Sequence, residues 1–320
     1  MKIQTLELHP YEIPLINSQM RAGVLINIID TKGNSGWGEI APLPKWSRET
    51  LEEALEQLDL KLPAIIKREW TVETCFEKLA RLRLLPAISF GLESALFSLL
   101  EPLSEYCVPT SALLMGSPKE ILEQANSRHQ EGFNSAKLKV GHLNFNEAQR
   151  LIHQLKDRFH LRIDVNRAWT TSESLKFFSE FPLDTFDYVE EPFQNPHDLA
   201  QFLHPLAIDE SFPLDLSLKK LELLPRLKAL IYKPTMQGGM LGCLPLLKWT
   251  KKRGIHLVLS SSFESDIGLA NIASIGHRLS LTSPIGIGTY HHLNKYLSAK
   301  PFRFFDGFAS IPSRLNVKIK

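Results

Sequence analysis

The sequence is poor in the features that mark secreted, membrane and nucleic-acid-binding proteins. Its three cysteines show no paired spacing, which is typical of reduced, packed thiols in a cytoplasmic protein rather than of disulfides or a metal site. No stretch reaches the roughly 18 apolar residues of a membrane span, and the first residues lack the apolar core of a signal peptide. The formal net charge is only +2 and there is no long basic run, so we expect neither membrane nor nucleic acid as a partner.

The sequence instead contains two regions that differ in their pattern of predicted strands and helices. Residues 1–100 begin with strand-like runs at 2–11, 23–30 and 37–40 and continue with three helical patterns, which predicts an α+β domain. From 101 to 300, eight short apolar runs alternate with amphipathic stretches, which favours parallel strands joined by helices. The eight candidate strands are 108–114, 135–140, 161–165, 188–190, 207–209, 230–233, 256–260 and 284–287.

Eight strands alternating with helices predict a closed barrel, and a chain of 320 residues can hold one together with a smaller domain. An open, doubly wound sheet is the alternative. The polar and aromatic tail, 301–320, is expected to pack on the N-terminal domain. The sequence is compatible with a monomer.

Charged residues stand at the ends of successive candidate strands. In a parallel barrel all these ends meet at one face, where active sites are built. Charges on so many consecutive strands are rarely buried unless they pair or hold a metal. In chain order the residues are Lys137, Lys139, Asp164, Glu190, Asp209 and Lys233.

The three acidic residues, Asp164, Glu190 and Asp209, predict a metal site. Oxygen ligands without histidine or cysteine suit a hard cation, Mg²⁺ first and Mn²⁺ as a substitute. A single acid at a strand end is more often a helix cap, whereas three in series favour a metal. The neighbouring Glu191 and Glu210 are expected to support the ligands or to form salt bridges.

The lysines predict proton transfer. Lys137 and Lys139 are two residues apart, so both side chains can point into the barrel mouth, and each is expected to lower the other's pKa. Lys233 lies beyond the acids. A metal and a lysine together can remove a proton next to a carboxylate, so we expect a small carboxylate substrate. Arg162 has two interpretations of equal weight: it binds a substrate carboxylate, or it pairs with one of the acids.

The order Lys-x-Lys, Asp, Glu, Asp, Lys resembles that of the enolase superfamily, in its muconate-lactonizing subgroup. The resemblance implies a modified TIM barrel of (β/α)7β type at 101–300 and a capping domain at 1–100. It covers most of the chain, and the stretches that carry it are 36–44, 137–141, 161–169, 190–192, 209–211, 233–235 and 260–265.

The resemblance also implies roles for single residues. Lys139 would be the base and then the acid, and Lys233 would stabilise an enediolate as a cation, with Mg²⁺ on the three acids; a lysine base with magnesium on an enediolate is the general chemistry of these sites. Ser262 and the backbone near it would hold a second carboxylate. The further candidates for substrate contact are Lys137 and Arg162, Gly288 in the pocket wall, and Met20 and Arg21 in the loop that closes the site.

Within the subgroup the chain is most similar to the dehydratases of menaquinone biosynthesis. This implies a lyase that removes water from 2-succinyl-6-hydroxy-2,4-cyclohexadiene-1-carboxylate. Two alternatives stay open. One is an amino-acid or dipeptide racemase that uses Lys139 and Lys233 on opposite faces, although residues 286–289 offer no acid to hold an α-ammonium group. The other is a binding protein without catalytic activity.

Overall fold

The computed structural model describes residues 1–16, 18–313 and 315–318. The N-terminal part is a three-stranded antiparallel sheet covered by three helices, which we call the cap. Its elements are β1 (Ile3–Pro14), β2 (Met20–Asp30), β3 (Ser35–Ile40), α1 (Leu51–Ile66), α2 (Val72–Leu82) and α3 (Pro86–Leu100).

Local sequence explains where the cap helices begin and how the sheet packs. The Thr50 side chain accepts from the Glu53 backbone N–H, and the Glu53 carboxylate accepts from the Thr50 N–H, so a capping box starts α1. Pro86 stands in the first turn of α3, where a missing N–H does no harm. A Cβ on Gly38 would lie 1.8 Å from the Gly91 carbonyl oxygen, so glycine lets β3 approach α3 this closely.

The second region is a curled parallel sheet whose strands follow one another in chain order. After a separate strand, β4 (Tyr106–Pro109), its seven strands are β5 (Ala112–Leu114), β6 (Ser135–Lys139), β7 (His160–Asp164), β8 (Tyr188–Glu190), β9 (Leu206–Ile208), β10 (Leu227–Tyr232) and β11 (His256–Leu259). The helices are α4 (Pro118–Gln130), α5 (Phe145–Leu155), α6 (Thr171–Phe178), α7 (Ser211–Leu214), α8 (Leu218–Leu221), α9 (Pro234–Gln237), α10 (Gly239–Arg253) and α11 (Asp266–Arg278), with 3₁₀ turns at Pro196–Gln201 and Gly288–His292.

Two isolated bridges join the ends of this sheet. Ile285 pairs with Thr110 beside β5, and Gly286 pairs with Ser260 beside β11. The strand predicted at 284–287 is therefore reduced to two residues, and the strand predicted at 108–114 is divided between β4 and β5. The predicted α/β fold class with a curled barrel sheet and a strand-rich N-terminal region is confirmed, and the bridges exclude an open, doubly wound sheet.

The C-terminal tail forms a hairpin, β12 (Arg303–Phe305) and β13 (Phe308–Ile311), whose second strand pairs antiparallel with β4. Ile311 at the end of the hairpin and Leu315 and Val317 beyond it line a pocket together with Trp37 and Leu99 of the cap. The expectation that the tail packs on the cap stays a prediction. Residues 314, 319 and 320 lie outside the described residues. No helix in the described parts of the chain has both the length and the apolar character needed to cross a membrane.

Cap and barrel supply each other's helix ends with hydrogen-bond partners. The buried Glu93 carboxylate of α3 accepts from the N–H groups of Met240 and Leu241, at 2.6 and 3.1 Å, where α10 begins. Arg278, in the last turn of α11, donates to the Phe97 carbonyl near the end of α3 at 3.2 Å. Acids at helix N-termini and cations at C-termini stabilise both ends. The interface therefore fixes the cap over the barrel.

Candidate active site

Adjacent strands place charged residues in rows across the inside of the barrel. Lys139 on β6, Asp164 on β7 and Glu190 on β8 are direct neighbours in the register. Two residues earlier on the same strands the neighbours are Lys137, Arg162 and Tyr188. Because alternate residues of a strand face the same side, both rows face inward.

The lysines and the carboxylates form a connected ion-pair network. The Lys137 ammonium lies 2.8 Å from Asp164 Oδ2 and donates to Glu190 Oε1 at 2.5 Å. The Lys139 ammonium lies 3.0 Å from Asp164 Oδ2 and donates to Asn166 Oδ1 at 2.7 Å. The three acids are almost fully buried, whereas the lysine side chains keep between 17% and 24% of their surface exposed.

Lys233 binds the third acid. Its ammonium makes a short contact with Asp209 Oδ2. Burial alone would lower the pKa of Lys233, but the Asp209 carboxylate outweighs it and the pKa is raised. Burial would likewise raise the pKa of Asp209, but Lys233 and Lys137 hold that pKa below its usual range. The pair is therefore charged on both sides.

The expectation that Lys137 has a lowered pKa is wrong. Burial does work in that direction, but the carboxylates of Asp164, Glu190 and Asp209 outweigh it and hold the pKa of Lys137 well above its usual value. The two lysines also keep the pKa of Asp164 low against its burial. Burial dominates at Glu190, whose pKa is raised with help from the neighbouring acids. Lys137 is thus a cation that neutralises the acids.

The donor atoms fit a hard divalent cation. Glu190 Oε2 is buried and has no hydrogen-bond partner among the described residues, and the two contacts of Asp164 Oδ2 to lysines lack hydrogen-bond geometry. Among the described residues, no three acidic, histidine or cysteine side chains lie close enough together to coordinate one metal ion as they stand. The acids are instead occupied by lysines: Lys137 contacts both Asp164 and Glu190, and Lys233 contacts Asp209. Oxygen-only donors with spare lone pairs match Mg²⁺ chemistry.

Arg162 follows neither of its two interpretations fully. Its Nε donates to Asp187 at 2.8 Å and its Nη1 to the Pro284 carbonyl at 2.6 Å, while the guanidinium lies 5.0 Å from the centre of the Tyr188 ring. It pairs with an acid, but with Asp187 and not with a predicted metal ligand. Its side chain still borders the cavity, so a contact with substrate stays a prediction.

A cavity of about 190 Å³ lies above these rows. Its wall brings together Lys137 and Lys139 of β6, Lys233 directly after β10, and the acids Glu190 and Asp209 with Ser262 and Gly288. Contact of these residues with substrate stays a prediction. Ser262 is only 2% exposed and its Oγ has no hydrogen-bond partner among the described residues. Its backbone N–H donates to Glu264 Oε2 at 2.6 Å, so the hydroxyl is the group that remains for a ligand.

Met20 and Arg21 are not among the residues that line this cavity, and the expectation that their loop closes the site stays a prediction. Met20 stands on β2 and is 58% exposed. Arg21 is 4% exposed, and four of its five guanidinium N–H groups donate to backbone carbonyls. The cap residues that do reach the cavity are Leu43 and Trp46.

Three further residues beside the cavity, Leu43, Trp46 and Asn166, have only weak signals in the sequence. Leu43 and Trp46 follow β3 in a proline-rich loop, and only the loop's apolar character pointed to them. Asn166 shares the face of Asp164, two residues on, and it accepts from Lys139. Glu191 accepts from the N–H groups of Asp209 and Ser211, both at 2.9 Å, which fits the expected support of the ligands.

Comparisons with known families and proteins agree with this geometry. Residues 120–315 match the model of the enolase C-terminal domain-like family, and residues 8–99 match the MenC N-terminal domain. The chain is 32% identical over 315 residues to the o-succinylbenzoate synthase of Pasteurella multocida, covering 90% of this chain and 89% of that one. It is 30% identical over 315 residues to the o-succinylbenzoate synthase of Haemophilus influenzae, covering 90% and 91%.

Solved structures show the same fold. The L-Ala-D/L-Glu epimerase of Bacillus subtilis superimposes with a TM-score of 0.81 at 19% identity, over 99% of this chain and 98% of that one. The muconate lactonizing enzyme of Pseudomonas putida gives 0.79 at 19% identity, over 99% and 96%. These likenesses concern the architecture of cap and barrel.

Proposed function

The chain is an enzyme of the enolase superfamily, and from this membership we propose that it is an o-succinylbenzoate synthase of menaquinone biosynthesis. The reaction is the loss of water from 2-succinyl-6-hydroxy-2,4-cyclohexadiene-1-carboxylate, a small carboxylate. Enzymes of this superfamily use a divalent metal ion, and we propose Mg²⁺, with Mn²⁺ as a substitute. A cytoplasmic location remains part of the proposal.

One observation carries the proposal: two lysines face each other across one cavity, with buried acids between them. Lys139 ends β6 and Lys233 directly follows β10, and these two strands are four positions apart in a ring of seven strands and one bridging segment. The acids come from the strands between them. A substrate carboxylate near the acids therefore has a cationic group on each side.

The proposed chemistry uses one base. Lys139, as the free amine, removes the proton from the carbon next to the ring carboxylate. A Mg²⁺ ion held by Asp164, Glu190 and Asp209 would stabilise the negative charge that develops on the carboxylate oxygens. Lys233 adds a fixed positive charge beside the same oxygens.

The second half of the reaction returns the proton. The C–O bond to the hydroxyl breaks, and the Lys139 ammonium protonates the departing oxygen, so that water leaves and Lys139 is again an amine. One proton is taken and one is given from the same face, which makes the elimination syn. Ser262 holds the succinyl carboxylate, and the aromatic product drives the reaction forward.

The test is turnover of the cyclohexadiene substrate by the purified protein. We expect activity with Mg²⁺ or Mn²⁺, none in excess EDTA, and recovery when metal is added back. Asp164→Asn is the matched variant, because it keeps the size of a predicted ligand while removing its charge. Full turnover in excess chelator would refute the metal, and absence of turnover with either ion would refute the synthase.

The racemase alternative has a distinct readout. It requires Lys233 to exchange a proton as Lys139 does, whereas the synthase mechanism uses Lys233 only as a fixed positive charge. When a dipeptide is incubated with the enzyme in D₂O, a synthase is expected to exchange no α-proton of either enantiomer. A racemase would exchange the α-protons of both enantiomers. Lys139→Ala would then stop exchange of one enantiomer, and Lys233→Ala would stop exchange of the other.

A further inference from the structure

One wall of the cavity is a segment rich in serine, residues 260–265, which we call the serine segment. It connects β11 to α11, and Ser262 offers its unpartnered, buried hydroxyl there. Phe263 has a φ of 59°, in the left-handed region that costs a non-glycine residue energy. A strained segment keeps such a conformation only when its surroundings hold it.

The first support comes from Arg21 on β2. Its Nε donates to the Phe263 carbonyl at 3.1 Å, and the rest of the guanidinium donates to the carbonyls of Ala22, Ala41 and Pro42 in the cap. Arginine presents its donors in a rigid, planar fork, so these bonds fix the position of the Phe263 carbonyl relative to the cap.

The second support comes from Glu39 on β3, which is fully buried. Its Oε1 accepts from the Tyr11 hydroxyl at 2.8 Å and from the Ser265 N–H at 3.1 Å. Its Oε2 accepts from the Gly268 N–H at 2.9 Å and from the Ser265 hydroxyl. A Cβ on Gly268 would lie 2.8 Å from Oε2, so the glycine leaves the space for this contact. Glu39 thereby fixes the far end of the serine segment.

We infer that Arg21 and Glu39 are positioning residues for Ser262: they hold the serine segment on the cap so that the hydroxyl faces the cavity. The inference rests on the proposed function, in which that hydroxyl binds the succinyl carboxylate. Neither residue touches substrate. The cap therefore determines how well this carboxylate is recognised, while the lysines and acids of the barrel keep their own geometry.

The first experiment separates KM from kcat in Arg21→Lys and Glu39→Gln. Lysine keeps the charge of Arg21 but lacks its fork, and glutamine turns one acceptor of Glu39 into a donor. We expect KM to rise about tenfold, as for the loss of one hydrogen bond to a charged group, with kcat and Mg²⁺ affinity nearly unchanged. Tyr11→Phe removes only one bond to Glu39 and should shift KM in the same direction by less.

Glu93→Gln is the matched control. Glu93 is also a buried cap carboxylate at the start of a barrel helix, but it contacts α10 and no part of the serine segment. We expect its KM to equal that of the wild type. An equal rise in KM for Glu93→Gln would mean that any weakening of the interface acts on the substrate, and it would overturn the inference.

The second experiment is a double-mutant cycle with Ser262→Ala. If Arg21 acts through Ser262, then Arg21→Lys should raise KM in the wild type and change it little in the Ser262→Ala background. Effects that add in full would contradict the inference. The cycle distinguishes a positioning role from a general loss of stability.

Hydrogen exchange provides a readout that does not depend on the reaction. We expect faster amide exchange at residues 262–268 in Arg21→Lys and Glu39→Gln, and wild-type exchange there in Glu93→Gln. Unchanged exchange in the first two variants would overturn the positioning role even if the enzyme is a synthase. Faster exchange in a protein without synthase activity would refute the proposed function and leave the positioning role standing.

Discussion

The two walls of the cavity are built in different ways. The acidic wall consists of the ends of β6 to β10, where Lys139, the three acids and Lys233 lie. Its supports lie within the barrel: Glu191, next to Glu190 in the chain, accepts from the N–H groups of Asp209 and Ser211. The other wall, which we call the serine wall, is formed by the serine segment. This segment is part of the barrel, but Arg21 and Glu39 of the cap hold it in place. In the proposed mechanism the barrel alone therefore holds the acid–base groups, whereas barrel and cap together hold the group that binds the succinyl carboxylate.

The largest loss of activity is expected from a substitution on the acidic wall. Lys139→Ala should reduce kcat by about 10³-fold or more, because general acid–base catalysis is lost in both half-reactions. Lys139→Arg should not restore it, since a guanidinium cannot act as a base at neutral pH. The measurement is steady-state dehydration with Mg²⁺. Wild-type turnover by Lys139→Ala would show that another group is the base.

Lys233 tests the opposite side of the same wall. Lys233→Ala should lower kcat by about 10²-fold, the usual effect of losing one group that stabilises charge in the transition state. Lys233→Arg keeps a cation and should retain part of the activity. KM for the substrate should change little in either variant. Equal losses in the arginine and alanine variants would contradict a purely electrostatic role.

Glu191 tests whether the acidic wall is independent of the cap. Glu191→Ala should weaken Mg²⁺ binding by about 10–100-fold, as loss of a group that orients metal ligands commonly does. Glu191→Gln should lose much less, because its carbonyl oxygen still accepts from the Asp209 and Ser211 N–H groups. Titration calorimetry with Mg²⁺ measures both. Ser211→Ala, which removes only the hydroxyl bonded to Oε2, is the control.

The smallest effect on activity is expected at Glu93 in the interface between cap and barrel, where the effect is on the pH dependence of stability. Burial raises the pKa of Glu93 from 4.5 to about 8, so the folded state holds a proton that the unfolded state releases. Stability from this group is therefore complete below pH 4.5 and is lost as pH rises towards 8. The nearby thiols, Cys75 and Cys243, have pKa values raised to about 12 and do not titrate in this window.

Glu93→Gln should flatten the decline in the free energy of unfolding between pH 5 and 8, as measured by urea denaturation. The same decline in the variant and the wild type would show that Glu93 does not cause it. Activity at a fixed pH should be unaffected, because Glu93 lies outside the cavity wall.

The sequence predicted the acidic wall better than the serine wall for a physical reason. Alternation along a strand and the meeting of parallel strand ends are local rules, and they place Lys139, Asp164 and Glu190 in one row. The roles of these residues remain predictions. The partner of Arg21 on the serine segment, the Phe263 carbonyl, is 242 residues away, and no local pattern in the chain reports a backbone carbonyl at that distance.

The same reason explains the differences in the fold. The run at 284–287 has the composition of a strand, but only Ile285 and Gly286 find partners, because they fill the gap between β5 and β11. The sequence places Arg162 on the inner face of β7, yet its partners are Asp187, just before β8, and the Pro284 carbonyl, just before the bridging residues Ile285 and Gly286. Such contacts depend on the closed ring and not on the strand itself.

Cap and barrel each provide hydrogen-bond partners for helix ends of the other, and this limits which caps can be combined with this barrel. A cap taken from a relative and fused to this barrel must bring an acid for the start of α10, an acid for the start of α11 and carbonyls for Arg278. A graft that lacks them leaves buried N–H groups without partners and removes backbone acceptors from a half-buried guanidinium. Cap and barrel are therefore a matched pair in this protein, and a single substitution within the cap disturbs their interface less than exchange of the whole cap does.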